Sequence, residues 1–68
     1  MPNSVYKKVD FVGVSPNSIS EAINNAIAHA ATTEKVTWFE VVEMRGHVEE
    51  GKVTQYQVIL KVGFRVGP

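Results

Sequence analysis

Apolar and polar positions alternate along three stretches of this chain and recur with helical spacing along one. Between Val5 and Val14, the residues Val5, Val9 and Phe11 share one parity, with Lys7 as the exception, while Tyr6, Lys8 and Asp10 point the other way. That alternation predicts a first strand. Gly13 and the run Ser15-Pro16-Asn17-Ser18 close it. Ile19, Ala22, Ile23, Ala26, Ile27 and Ala30 then form the narrow apolar stripe of a helix, with Asn24, Asn25 and His29 off the stripe. Two starts compete for this helix. Ser15 before Pro16 fits a cap with proline at the first helical position, and Ser18 with Glu21 fits a capping box; the start is expected between them.

Thr32-Thr33-Glu34-Lys35 breaks the stripe and reads as a connector. Thr37 to Val48 predicts a second strand, in which Phe39 and Val41 oppose Trp38, Val42 and Met44 in parity. Thr54 to Val66 predicts a third, with Tyr56, Val58, Leu60, Val62, Phe64 and Val66 in unbroken alternation. Glu50-Gly51 supplies a short hairpin loop, with glycine at a positive-φ position. The class is therefore α+β, in the order β-α-β-β. A right-handed crossover through the helix sets the first two strands parallel. The long third strand then inserts between them, antiparallel to both, in the order 1-3-2. One helix covers one face of such a sheet. The other face carries Gln55, Gln57, Ile59, Lys61, Gly63 and Arg65, a mixed surface suited to meeting other subunits and a ligand between them.

With 68 residues, the chain is expected to form one domain over residues 1–68. A domain of this size buries only about 60% of its unfolded surface and needs a staple. Cysteine is absent, which excludes disulfides and thiolate metal sites and leaves oligomerisation. Seven basic and seven acidic residues cancel, whereas non-specific nucleic-acid binding needs an excess of cations. No apolar run approaches the roughly 18 residues of a membrane span, and no signal-peptide pattern begins the chain. A cytoplasmic location is the expectation, with neither nucleic acid nor membrane as partner.

His29 and His47 lie in no ligand-like spacing, and no nucleophile, phosphate loop or acid–base pair is evident, so neither a metal site nor catalytic residues are expected. The binding candidates cluster instead around the single tryptophan. Trp38 is either a core anchor or a flat apolar plate at a strand edge. With Arg45, Gln55 and Gln57 beside it, such a plate suits a planar heteroaromatic ligand with a polar rim and an anionic tail. The bland readings pair Arg45 with Glu43 or Glu49 and leave Gln57 as an ordinary strand residue. Trp38 and Arg45 are seven residues apart and face opposite sides of an unbroken strand. Either Gly46 marks a bulge or bend, or one ligand draws the two residues from different subunits.

Several runs carry a family resemblance. Val5-Tyr6-Lys7-Lys8-Val9, Val12-Gly13-Val14-Ser15, Trp38-Phe39-Glu40-Val41, Arg45-Gly46-His47, Tyr56-Gln57-Val58 and Lys61-Val62-Gly63-Phe64-Arg65 together resemble the dodecins, small flavin-binding proteins. The resemblance spans essentially the whole chain. It implies a sheet partly wrapped around the helix and a hollow homododecamer. It also implies flavins stacked in pairs between symmetry-related tryptophans, with Trp38 as the clamping indole. Gln57 matches the glutamine at the flavin's pyrimidine end, with Gln55 beside it. Arg45 matches the arginine that bacterial members favouring FMN carry near the phosphate-bearing tail, with riboflavin or FAD as the alternative flavins. Some relatives also carry coenzyme A; Tyr6, Lys35 and Arg65 are the candidates for that second ligand, although His29 stands where a relative has a helix arginine. The implied function is flavin storage and quenching of its photochemistry rather than catalysis. The other readings are a coenzyme A-carrying or flavin-free shell, or a flavin-dependent reductase.

Overall fold

The computed structural model describes residues 4–67; residues 1–3 and 68 of the expected domain lie outside that range. Strand β1 (Val5–Ser15) leads into helix α1 (Ile19–Ala30), followed by strands β2 (Trp38–Glu49) and β3 (Lys52–Gly67). The sheet order is β1-β3-β2, with β3 antiparallel to both neighbours. The order and pairing predicted from the crossover rule hold. The first and third strands run a little longer at their ends than the alternation alone defines, and the second is shifted by one residue.

Ser18 wins the competition for the helix cap. Its hydroxyl accepts a hydrogen bond from the Glu21 backbone N–H at 3.0 Å, satisfying one of the donors that a helix N-terminus leaves free. Glu21 does not close a reciprocal capping box on Ser18. Its carboxylate instead accepts from the Ser15 hydroxyl and, at 2.8 Å, from the Asn17 side-chain amide. Ser15 Oγ in turn accepts from the backbone N–H groups of Asn17 at 2.9 Å and Ser18 at 3.3 Å. The fully buried Ser15 is thereby satisfied on every side. Both serines serve, but only the second begins the helix.

The helix stripe packs on the face of β3 that carries Val58, Leu60 and Val62, all fully buried, with Ala22, Ala26 and Ala30 against them. Val9, Phe11, Ile19, Ile23, Ile27 and Val36 flank this core. Small residues at the contact let helix and sheet approach closely. At Gly13, a Cβ would stand 1.9 Å from the Ala22 carbonyl oxygen, so only glycine fits beneath the helix. Burial of the three large β3 side chains stabilises the fold by roughly 1.5–3 kcal/mol each.

The hairpin between β2 and β3 is a two-residue loop in which Glu50 (φ 53°) and Gly51 (φ 77°) are both left-handed. That is the signature of a type I′ turn, whose twist matches the strands it joins. The third strand is thus fixed next to the second by local geometry, and next to the first by its apolar face.

The molecule measures 56 × 20 × 13 Å. Helix α1 sits over β1 and β3, and β2 projects along the margin with every residue exposed. Phe39, Val41 and Met44 of β2 share the face of Val62, Leu60 and Val58 yet lie beyond the helix, so an apolar flank stays uncovered.

Candidate functional site

Cross-strand register decides which side chains share the helix-free face. Trp38 pairs with Gly63 and Glu40 with Lys61, so both stand opposite the core residues Val62 and Leu60. On β1, Tyr6, Lys8, Asp10, Val12 and Val14 meet Arg65, Gly63, Lys61, Ile59 and Gln57 on the same face. Trp38 is consequently not a core anchor beneath the helix. The residue is 39% exposed.

The indole lies across the central strand. A Cβ built on Gly63 would stand 2.2 Å from Trp38 Cε2 and 2.5 Å from both Cζ2 and Nε1. The ring therefore rests over the Gly63 Cα, with one side seated on backbone and the other turned out. Gly63 is itself buried by this contact. On the far side of Gly63, in the same row, stands Lys8, whose ammonium lies 5.9 Å from the ring centroid. The Thr37 backbone N–H donates to the Gly63 carbonyl at 2.9 Å and secures the start of β2 beside this seat.

Arg45 shares the helix-free face with Trp38, and the cause is a bulge. Val41 pairs with Leu60 and Glu43 with Ile59, leaving Val42 as an extra residue. An inserted residue resets the two-residue period. From there on, Glu43, Arg45 and His47 face with Trp38, and Met44 turns to the side of Phe39 and Val41. Of the two alternatives, a bulge is present, but the phase change lies four residues before Gly46, and a second register shift falls between His47 and Val48. Gly46 answers to a different demand, since a Cβ there would come within 2.7 Å of the Gln55 carbonyl oxygen.

Arg45 is the direct partner of Gln57, and His47 of Gln55. The Gln57 side-chain amide donates to Gln55 Oε1 at 2.9 Å, which joins the two glutamines into one polar edge. Arg45 takes the first of its two sequence-predicted partners, with Nε 3.6 Å from Glu43. Glu49 pairs with His47 at 3.1 Å instead. These are exposed contacts of small energy, readily exchanged for a ligand anion.

Trp38 and the glutamine–arginine group lie at different ends of the face. Gly63, beneath the indole, and Gln57 are six residues apart on β3, roughly 20 Å of strand. Of the residues considered for a second ligand, Tyr6 and Arg65 are cross-strand partners. Lys35 belongs to the connector and forms no ion pair among the described residues. Sequence reasoning passed over Lys8 and Gly63 as site residues. Their signal is the strand register, which places both in Trp38's row.

Charged side chains cross the face near the indole in a fixed pattern. Lys61 pairs with Asp10 at 2.6 Å and Lys8 with Glu40 at 2.9 Å. Among the described residues no three His, Cys, Asp or Glu side chains gather as a metal site. None of the described helices is long and apolar enough to cross a membrane. On the helix side, an open cleft of about 430 Å³ lies between α1 and the start of β2, lined by Ser20, Ile23, Asn24, Ile27, Val36, Thr37, Trp38 and Phe39.

Comparison with known proteins follows this geometry closely. The family model described as Dodecin matches residues 5–67. The chain is 49% identical over 63 residues to the dodecin of Thermus thermophilus, covering 91% of each. It is 34% identical over 67 residues to the calcium dodecin of Mycobacterium tuberculosis, covering 96% of this chain and 93% of the relative. In three dimensions it superposes on a Thermus thermophilus protein with a TM-score of 0.90 and 46% identity, covering 97% and 98% of the two chains. The dodecin of Streptomyces davaonensis gives 0.88 and 43%, covering 98% and 100%.

Proposed function

The chain belongs to the dodecin family, and on that premise we propose that it is a flavin-storing protein which binds FMN in stacked pairs within a homododecamer. The observation that carries this reading is the attitude of Trp38, seated on Gly63 with its outer side free on the helix-free face of the sheet. An aromatic plane that stacks there gains contact on a surface otherwise wet, worth roughly 0.5–1.5 kcal/mol beyond area burial. Two such indoles facing across a symmetry axis enclose two flavins.

The polar end of each flavin is met by Gln57 and Gln55, whose amides offer donor and acceptor together to the uracil-like edge. Arg45, the next residue across the sheet, accounts for a preference for phosphate-bearing FMN over riboflavin, with FAD tolerated. A three-ring plane is shorter than the span from Gly63 to Gln57. The indole and the glutamine–arginine group that serve one ligand therefore come from different subunits, even though the Val42 bulge sets them on one face. The uncovered apolar flank of β2, with Met44 60% exposed, supplies surface for such assembly.

Stacking on indole closes off the reactive ring and offers an excited flavin a nearby electron donor. Those two effects suit buffering and quenching rather than turnover, so we assign no catalytic residue. Tyr6 and Arg65 form the candidate surface for coenzyme A, with Lys35 as a further cation. A titration of FMN fluorescence with apo protein, run beside native mass measurement, tests the reading. Quenching that saturates at one flavin per chain in a twelve-chain particle is expected. A colourless shell that leaves added FMN fluorescent overturns it, as does a bright bound flavin that oxidises a reduced nicotinamide.

A further inference from the structure

We propose that Lys8 is a positioning residue for Trp38, holding the indole across Gly63 from the opposite strand through its charge. The row Lys8–Gly63–Trp38 crosses all three strands. Because Gly63 has no side chain, the central position is vacant, and the outer two side chains lean into it from opposite edges. Trp38 leans from β2 toward β1. Lys8 leans from β1 toward β2, where its ammonium meets Glu40 at 2.9 Å. On that path the ammonium comes within 5.9 Å of the indole centroid. That is inside the distance at which a cation is drawn to an aromatic face.

The neighbouring charges direct Lys8 to this place. Glu40 stands directly opposite Lys61, and the two would pair if nothing intervened. Lys61 is instead engaged at 2.6 Å by Asp10, on its other side. Glu40 is thereby left for the diagonal Lys8. The result is a tether that draws the ammonium across the sheet past the ring, which a lysine pointing straight out from β1 would not reach. Lys8 and Glu40 are both about half exposed, so neither serves the core.

The affinity consequence rests on the flavin-stacking reading above; the orientation of the indole does not. Trp38 is the single tryptophan, so its spectroscopic signals report this ring alone. The test compares Lys8→Met, which keeps an apolar stem and removes the charge, with Lys8→Arg, which keeps the charge. Both are measured as full-length protein, with native mass at the wild-type value. In apo protein, Lys8→Met should lose much of the near-ultraviolet indole circular dichroism and lower the Trp38 fluorescence anisotropy, and Lys8→Arg should retain both. With FMN, Lys8→Met should bind about two- to fivefold more weakly, the effect of one exposed cation–π contact. Indole signals in Lys8→Met that superimpose on wild type overturn the proposal, as does Lys8→Arg behaving like Lys8→Met. If wild-type protein ignores FMN while Lys8→Met still frees the ring, the positioning role stands and the storage function falls.

Discussion

Replacing Gly63 by alanine perturbs the indole and little else. The new Cβ would begin 2.2 Å from Trp38 Cε2, and ordinary contact starts at 3.4 Å, so the ring must withdraw by at least about 1.2 Å. The obstructing atoms belong to a half-exposed side chain, so the ring swings away rather than the strand. The fold itself loses some indole contact and gains about 0.4–1 kcal/mol from the stiffer unfolded chain, for a net change near zero. Ligand binding responds differently. A tryptophan presenting 39% of its surface, taken as roughly 250 Å² in total, leaves on the order of 100 Å² for a stacked plane. At about 25 cal/mol per Å² that area is worth about 2.5 kcal/mol, and aromatic geometry adds roughly 0.5–1.5 kcal/mol. A tilted ring that keeps half of this loses about 1.5–2 kcal/mol, a factor of ten or more in Kd. FMN titration and thermal unfolding of the same preparations check the two halves. Binding within twofold of wild type, with the indole signal shown to have moved, would refute the stacking argument. A Tm lowered by about 10 °C or more would refute the claim that Gly63 serves the ring rather than the core.

Three further outcomes are expected. Gly13→Ala drives a Cβ to 1.9 Å from the Ala22 carbonyl oxygen, an obstacle of helix backbone that cannot swing aside; denaturant unfolding should show a loss of about 3 kcal/mol or more, or no folded protein. Glu50→Asn places a residue tolerant of the left-handed region at φ 53° in the hairpin, and a rise in stability of about 0.5–1 kcal/mol should appear in the same assay. The hydrogen bonds that Glu21 accepts, from Ser15 first and from Asn17, hold its carboxyl below the usual carboxylate range. A depressed folded-state pKa makes that contribution fully present above the unfolded value of about 4.3, and it is lost as pH falls toward the folded one. Glu21→Gln should therefore flatten the acid limb of a stability-versus-pH curve and leave its neutral region unchanged in slope.

The order of elements was legible because each carries one dominant period: the unbroken alternation of β3 and the alanine–isoleucine stripe of α1 each permit one reading. The handedness of the crossover set β1 and β2 parallel, and the length and regularity of β3 marked it as the central strand. The relation of Trp38 to Arg45 was not legible. It depends on the bulge at Val42, and valine is an ordinary strand residue that gives no sign of being unpaired. Gly46, the residue that does look like a bulge marker, is glycine because the Gln55 carbonyl crowds it. The helix start stayed ambiguous for a related reason. Ser15 and Ser18 both have the chemistry of a cap, and only the path of the chain out of β1 decides which hydroxyl meets the Glu21 N–H. Lys8 escaped notice because its link to Trp38 spans thirty residues and passes through a third strand.

The extra residue at Val42 makes the length of β2 as informative as its composition. Shortening the strand by that one position would leave Trp38, Glu40 and the hairpin chemically untouched. The pairs from Glu43 with Ile59 to His47 with Gln55 would also keep their register, and Trp38 and Arg45, then six residues apart, would still share the helix-free face. A single-codon deletion there thus removes the bulge and its local twist while sparing the ligand-facing row of side chains. A tryptophan and an arginine seven residues apart need the unpaired residue between them to look the same way, and a pair six apart needs an unbroken strand.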